Sequence, residues 1–258
     1  MSSRQQDEAR SVLLETLNVL GVFREHLVVV GGWVPDLLYP GKKHIGSIDV
    51  DLAVAPAALA DDAYSTIRAR MSKAGFQHHA PPTHFTMDTL SGSIKVDLIT
   101  GQYQTGQKEP AILVNELKIN TLRGLDLAFE YSDMIEISGI MRNGATNTVQ
   151  ARVVRPEAFV LIKAFAMEDR LKAKDAYDVY FVAANYPAGP KDLGNRIASM
   201  FPNGLAEEGV RILSKKFAQL DSIGPVHVAE VLGQQGNDVA QSQQAAYQYV
   251  RAMLQAVE

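Results

Sequence analysis

The chain has 258 residues, 47% of them apolar, with a net charge of −4. That length can bury a sizeable core, and two modest domains are expected; the negative balance leaves no electrostatic footprint for bulk nucleic-acid binding, so any RNA contact has to be local. The chain contains no cysteine, which excludes disulfides, thiolate metal sites and cysteine nucleophiles and is compatible with a reducing cytoplasm.

Met1 to Arg10 is polar with no apolar h-region, and no later stretch approaches the ~18 apolar residues that span a bilayer, so a soluble cytoplasmic protein without membrane association is expected. Apolar positions at Val12, Leu13, Leu17, Val19 and Leu20 predict an amphipathic helix over Gln5 to Leu20 that stops at Gly21. A strand follows at Leu27 to Val30, then a short helix at Val34 to Tyr39, a Pro40-Gly41-Lys42-Lys43 loop, and a second strand at Ile48 to Leu52. The Ala-rich segment after Pro56 reads as a helix ending near Gly75. Two hairpins are expected, one around Ser91-Gly92 joining His84–Leu90 to Ile94–Ile99. The other turns at Asn143-Gly144 and joins Met134–Met141 to Val149–Val154. From Pro156 the pattern turns helical, with segments to about Lys172, at Asp175–Ala184, Leu193–Met200, Leu205–Leu220 and Ala240–Val257. The expected fold is therefore α+β, with a mixed-sheet domain at 1–155 and a helical bundle at 156–258.

Two features of the first half carry chemistry. Alternation on a strand puts Asp49 and Asp51 on one face, about 7 Å apart, with Ile48, Val50 and Leu52 on the other. Paired carboxylates make a poor core but suit a magnesium ion, whose charge cancels their repulsion. Gly31-Gly32, directly after a strand, lets backbone N–H groups approach a phosphate. On Ile94–Ile99, Asp97 falls on the face opposite Ile94, Val96 and Leu98. If this strand lies beside Ile48–Leu52, three carboxylates converge and could hold two magnesium ions and a triphosphate. Ser47 either contacts a phosphate or serves as a turn hydroxyl beside Gly46. Trp33, next to the glycine pair, either reports on a bound nucleotide or is buried in the core.

On one continuous helix Lys163, Arg170 and Lys174 would fall within about 20° of a line, a cationic stripe suited to phosphates or a solvated basic face. Asp175 and Asp178 leave that line, so the chain either bends at Lys172–Lys174 or starts a second helix there. His78, His79 and His84 read as a loop preceding a strand, and Tyr177 and Tyr180 as helix packing.

Glycine pair, Asp-x-Asp and a later aspartate together resemble the DNA polymerase β-like nucleotidyltransferase superfamily. Gly31-Gly32-Trp33-Val34-Pro35-Asp36 is similar to the opening motif of tRNA CCA-adding enzymes, with Pro35 in place of arginine. His44 to Ser47 before Asp49, and Lys163, Arg170, Lys174-Asp175 and Asp178, resemble AbiEii-type nucleotidyltransferases, the toxin half of bacterial type IV toxin-antitoxin pairs. The resemblance covers roughly Leu27 to Tyr180. It implies a polymerase β-like domain that transfers NMP from an NTP to a hydroxyl on a tRNA 3′ end or a protein, with two magnesium ions on Asp49, Asp51 and Asp97. It further implies triphosphate binding by Gly31, Gly32, Ser47 and Lys163, an orienting or basic role for Asp175, and a cognate antitoxin partner. Two rival readings keep a small-molecule acceptor such as an antibiotic, or a non-catalytic nucleotide- or partner-binding module.

Overall fold

A computed structural model describes residues 3–55, 63–79, 83–103, 111–114 and 117–257. The chain divides into two compact units, one of residues 1–37 and 45–154, the other of residues 38–44 and 155–258. No helix among the described residues is long and apolar enough to cross a membrane.

The first unit is α+β. Its strands are β1 (Leu27–Val30), β2 (Val50–Val54), β3 (Gln77–His79), β4 (His84–Thr89), β5 (Gly92–Gly101), β6 (Ala111–Val114), β7 (Leu117–Leu122), β8 (Ser132–Ile140) and β9 (Thr146–Val154). They form one mixed sheet in the order β3-β4-β5-β2-β1-β9-β8, with β7 also pairing β5 and β6 pairing β7. β1 runs antiparallel to β2 and parallel to β9, and β2 runs parallel to β5. All four residues of β1 are buried, as expected of a β-branched run in the middle of a sheet. Helices α1 (Ser3–Val19), α2 (Val34–Leu38), α3 (Ala63–Lys73) and α4 (Asp126–Glu130) accompany the sheet. Val12, Leu13 and Leu14 of α1 are fully buried, and α1 touches β2, β5, β8, β9 and α3. Each such side chain contributes about 1.5–3 kcal/mol on burial. The Asn143-Gly144 turn forms as its chemistry predicts: Gly144 has φ +83°, and Asn143 Oδ1 accepts from the Ala145 N–H at 3.0 Å.

Two departures from the sequence reading, and one choice it left open, bear on function. The second strand begins at Val50, so Asp49 stands on the bend before it, where the Ser47 hydroxyl donates to the Asp49 carbonyl at 3.2 Å. Gln77 to His79 form an edge strand rather than a loop. Trp33 lies in a 3-10 turn over Gly31–Trp33 and is only 4% exposed, so of its two expected roles burial in the core is the one seen. The start of the Ala-rich helix after Pro56 lies outside the described residues.

Beyond the irregular 38–44 segment, the described part of the second unit is helical: α5 (Pro156–Asp169), α6 (Ala173–Asn185), α7 (Pro190–Ala198), α8 (Gly204–Lys216), α9 (Ile223–Gly233) and α10 (Val239–Leu254). α5 is buried on nearly every side, which explains its almost unbroken apolar composition. It packs on α6, α7 and α8, while α10 packs on α6, α7 and α9. α9 escaped the sequence reading because Gly224 and Pro225 open it. Pro is tolerated in a first turn, and a Cβ at Gly224 would sit 2.6 Å from the Phe217 ring.

Candidate active site

The parallel register of β2 and β5 places Asp51 directly beside Asp97. Both are partly exposed, while their neighbours Val50, Leu52, Val96 and Leu98 are fully buried on the other face. Alternation therefore leaves two carboxylates on one accessible face of an otherwise apolar pair of strands. The antiparallel register of β1 with β2 sets Val30 opposite Asp51, so the glycine pair begins beside that carboxylate. Gly31 has φ +71°, and a Cβ on it would run into the Asp51 carboxylate. Two independent constraints, backbone sign and side-chain space, thus demand glycine at position 31.

Asp49 is exposed on the bend ahead of β2, and Ser47 is buried. Lys95 Nζ lies 2.8 Å from Asp97 Oδ1, a partly exposed pair that tempers the charge of the row. Among the described residues no group of three or more histidine or acidic side chains converges closely enough to hold a metal ion. The donor set still fits magnesium in kind. It offers hard carboxylate oxygens on adjacent strands, with the Asp51 carboxylate seated where a side chain at position 31 would otherwise stand.

The helical unit holds a second charged cluster, and here the cationic stripe is corrected. α5 ends at Asp169, Arg170 is extended at φ −146° and ψ 136°, and α6 starts at Ala173, so the three cations do not share one helix. The break folds them around two aspartates. Lys163 Nζ lies 2.9 Å from Asp175 Oδ1 and 2.7 Å from Asp178 Oδ2. Arg170 donates to both oxygens of Asp175 at 2.9 and 3.0 Å, and Lys174 reaches Asp178 at 2.9 and 3.1 Å. His44, from the 38–44 segment, completes the cluster with Nε2 2.9 Å from Asp178 Oδ1. Its ring stacks on Tyr177 at 5.3 Å and meets Phe181 edge-on at 4.7 Å.

Lys163, Asp175 and Asp178 are 6%, 2% and 0% exposed. Burial alone would raise the aspartate pKa values. The Lys163 charge, with Lys174 at Asp178 and the Arg170 hydrogen bond at Asp175, overcomes it and holds both below the usual carboxylate range. Burial would likewise lower Lys163, but Asp178 and Asp175 outweigh it and raise its pKa. All three groups are therefore charged at neutral pH.

Of the predicted site residues the structure brings together Asp51, Asp97 and Gly31 in the first unit and Lys163 and Asp175 in the second, while Ser47 and Asp49 stand on the bend ahead of β2 and Gly32 follows Gly31 in the 3-10 turn. Sequence reasoning missed the partners. His44 and Asp178 are 134 positions apart, a distance no local spacing reveals. Lys95 was visible as a neighbour on the Asp97 face, and its pairing follows from alternation.

A family model described as nucleotidyltransferase matches residues 9–186, more than half of the chain, including both groups. The chain belongs to this family. It is therefore a nucleotidyltransferase, with an NTP as substrate and NMP transfer as its reaction class. Two solved structures are similar to this nucleotidyltransferase at low identity. JHP933 from Helicobacter pylori shares 13% of residues at TM-score 0.48, covering 100% of this chain and 94% of that one. A second Helicobacter pylori protein, described as a candidate nucleotidyltransferase, shares 13% at TM-score 0.47, covering 100% and 97%. No curated protein sequence matches the chain.

Proposed function

We propose that this nucleotidyltransferase is AbiEii-like and magnesium-dependent, with a polymerase β-like domain at 1–155 and a helical bundle at 156–258. It transfers NMP to a hydroxyl of a tRNA or a protein. The observation that carries this reading is the register of Asp51 beside Asp97, with Gly31 held against Asp51 by its positive φ.

In this reading Asp49, Asp51 and Asp97 hold magnesium. When bound, it supplies Lewis-acid neutralisation of the charge that develops on the α-phosphate. Gly31 and Gly32 offer backbone N–H groups to the triphosphate, and Ser47 shapes the bend that carries Asp49. The acceptor hydroxyl releases its proton to solvent and its oxygen bonds to the α-phosphorus as the bond from that phosphorus to the β-phosphate oxygen breaks, releasing pyrophosphate. Within the helical unit Asp175, with Asp178, orients Lys163 and fixes its positive charge.

Purified protein with magnesium and each labelled NTP, incubated with total RNA and with cell extract, should move label into a tRNA or protein band on a gel. Expression in cells should arrest growth, and Asp51→Ala should relieve the arrest. Label found only in a small-molecule product would overturn the macromolecular acceptor.

A further inference from the structure

The register that sets Asp51 beside Asp97 continues toward the sheet edge. His84 of β4 is the antiparallel partner of Asp97, and His79 of β3 is the partner of His84. Partners across a sheet present side chains on one face, so Asp51, Asp97, His84 and His79 form a single transverse row. The two imidazoles are stacked, with centroids 4.9 Å apart and planes inclined by 13°. His79 Nε2 lies 2.8 Å from Thr86 Oγ1, which fixes the rotation of the outer ring. His79 is exposed and His84 partly so.

The core at this corner is built on the opposite face, where His78 packs on Phe85 at 5.2 Å and Phe85 and Val96 are fully buried. The row instead changes character along its length. It begins with two carboxylates and ends, two strands or about 10 Å from Asp97, in flat aromatic rings. Such rings stack on any nucleobase irrespective of its identity, and they lack the negative charge that would repel an attached phosphate.

We propose that His79 and His84 form a nucleobase platform, on which a planar base stacks while the phosphate or hydroxyl attached to it reaches the Asp51–Asp97 pair. This rests on the reading of those acids given under Proposed function. A base can come from the incoming nucleotide or from the terminal nucleotide of a nucleic-acid acceptor, and the two sources are separable by experiment.

The full-length protein with magnesium would be titrated with ATP, CTP, GTP and UTP by calorimetry, and with a fluorescein-labelled six-nucleotide single-stranded RNA by anisotropy. His79→Ala should weaken one of these two ligand classes about tenfold, and His79→Phe should restore it, because the flat face is what matters. Loss on the nucleotide arm identifies the incoming base; loss on the RNA arm identifies the acceptor. Ribose 5-triphosphate, which has no base, should bind His79→Ala and wild type alike. Equal loss for that probe makes the pair a phosphate contact and overturns the platform. So does unchanged binding of every ligand in both His79→Ala and His84→Gln, or the absence of nucleotide and RNA binding in wild type. If the histidine variants bind normally while Asp51→Ala abolishes magnesium-dependent nucleotide binding, the platform falls and the reading of the acids stands. If Asp51→Ala also binds normally, both fall. Thermal unfolding of each variant separates a lost contact from a lost fold.

Discussion

The two charged groups of this nucleotidyltransferase use the same residue type under opposite conditions. In the sheet, Asp51 and Asp97 stand side by side on an accessible face, with Lys95 the ion-pair partner of Asp97. In the helical unit, Asp175 and Asp178 are withdrawn from water and met by Lys163, Arg170, Lys174 and His44. A carboxylate fully compensated by fixed partners has little capacity left for a ligand. One that is partly exposed beside a like charge can still gain by meeting a further cation. The sheet acids are thus suited to a changing occupant, and the helix acids to holding their own surroundings in place.

The sharpest way to break this comparison is to remove one acid from each group. Asp51→Ala should reduce NMP transfer below detection while leaving thermal stability in EDTA unchanged or slightly higher, because one of two adjacent like charges is gone. A large loss of stability in EDTA would mean that the sheet acids are structural as well. Asp178→Ala should do the reverse and destabilise the fold by about 3–5 kcal/mol, since Lys163 and His44 lose a buried partner. Denaturant unfolding measures it. A loss under about 1 kcal/mol would place Asp178 in the class of weak surface pairs.

A pH titration probes the same contrast less drastically. Asp175 and Asp178 are held below the usual carboxylate range in the folded state. Their contribution to stability is therefore complete above the unfolded value near ~3.9 and is lost as pH falls through the folded values. Lys163 is raised, so its contribution is complete below the unfolded value near ~10.4 and fades only in strong alkali. Hydrogen exchange should show the amides of α5 and α6 losing protection progressively below about pH 4. Asp178→Asn, compared at matched stability, should flatten that acid limb; an unchanged limb would assign it to other carboxylates.

Much of the sheet was legible because its information is local. The β1 run, both hairpin turns and the alternation about Asp97 each sit within ten residues. What pairs with what was less visible. β7 joins β5 in parallel through only its last three positions, Asn120 to Leu122, and no periodicity announces such a contact. The expected loop at His78 and His79 is a strand, whose alternation sends one ring to the core and the other to the Asp97 row. The cationic stripe failed for a related reason. Helical spacing was extended through Arg170, yet the chain turns there so that Arg170 and Lys163 can reach Asp175 from two directions.

The smallest effect concerns the boundary between site and core. Trp33 follows the glycine pair, is 4% exposed, and its indole N–H has no partner among the described residues. Trp33→Phe removes a buried unsatisfied donor, which stabilises, and some apolar volume, which destabilises. The two terms are of similar size and opposite sign, so the net change should lie within about 1 kcal/mol. Nucleotide affinity should also be nearly unchanged, because Gly31 and Asp51, not the indole, form the accessible edge of the turn. In wild type, Trp33 emission should be blue-shifted and poorly quenched by acrylamide, with little response to magnesium and any of the four NTPs. Strong quenching, or a saturable change lost in Asp51→Ala, would move Trp33 out of the core and into the nucleotide site.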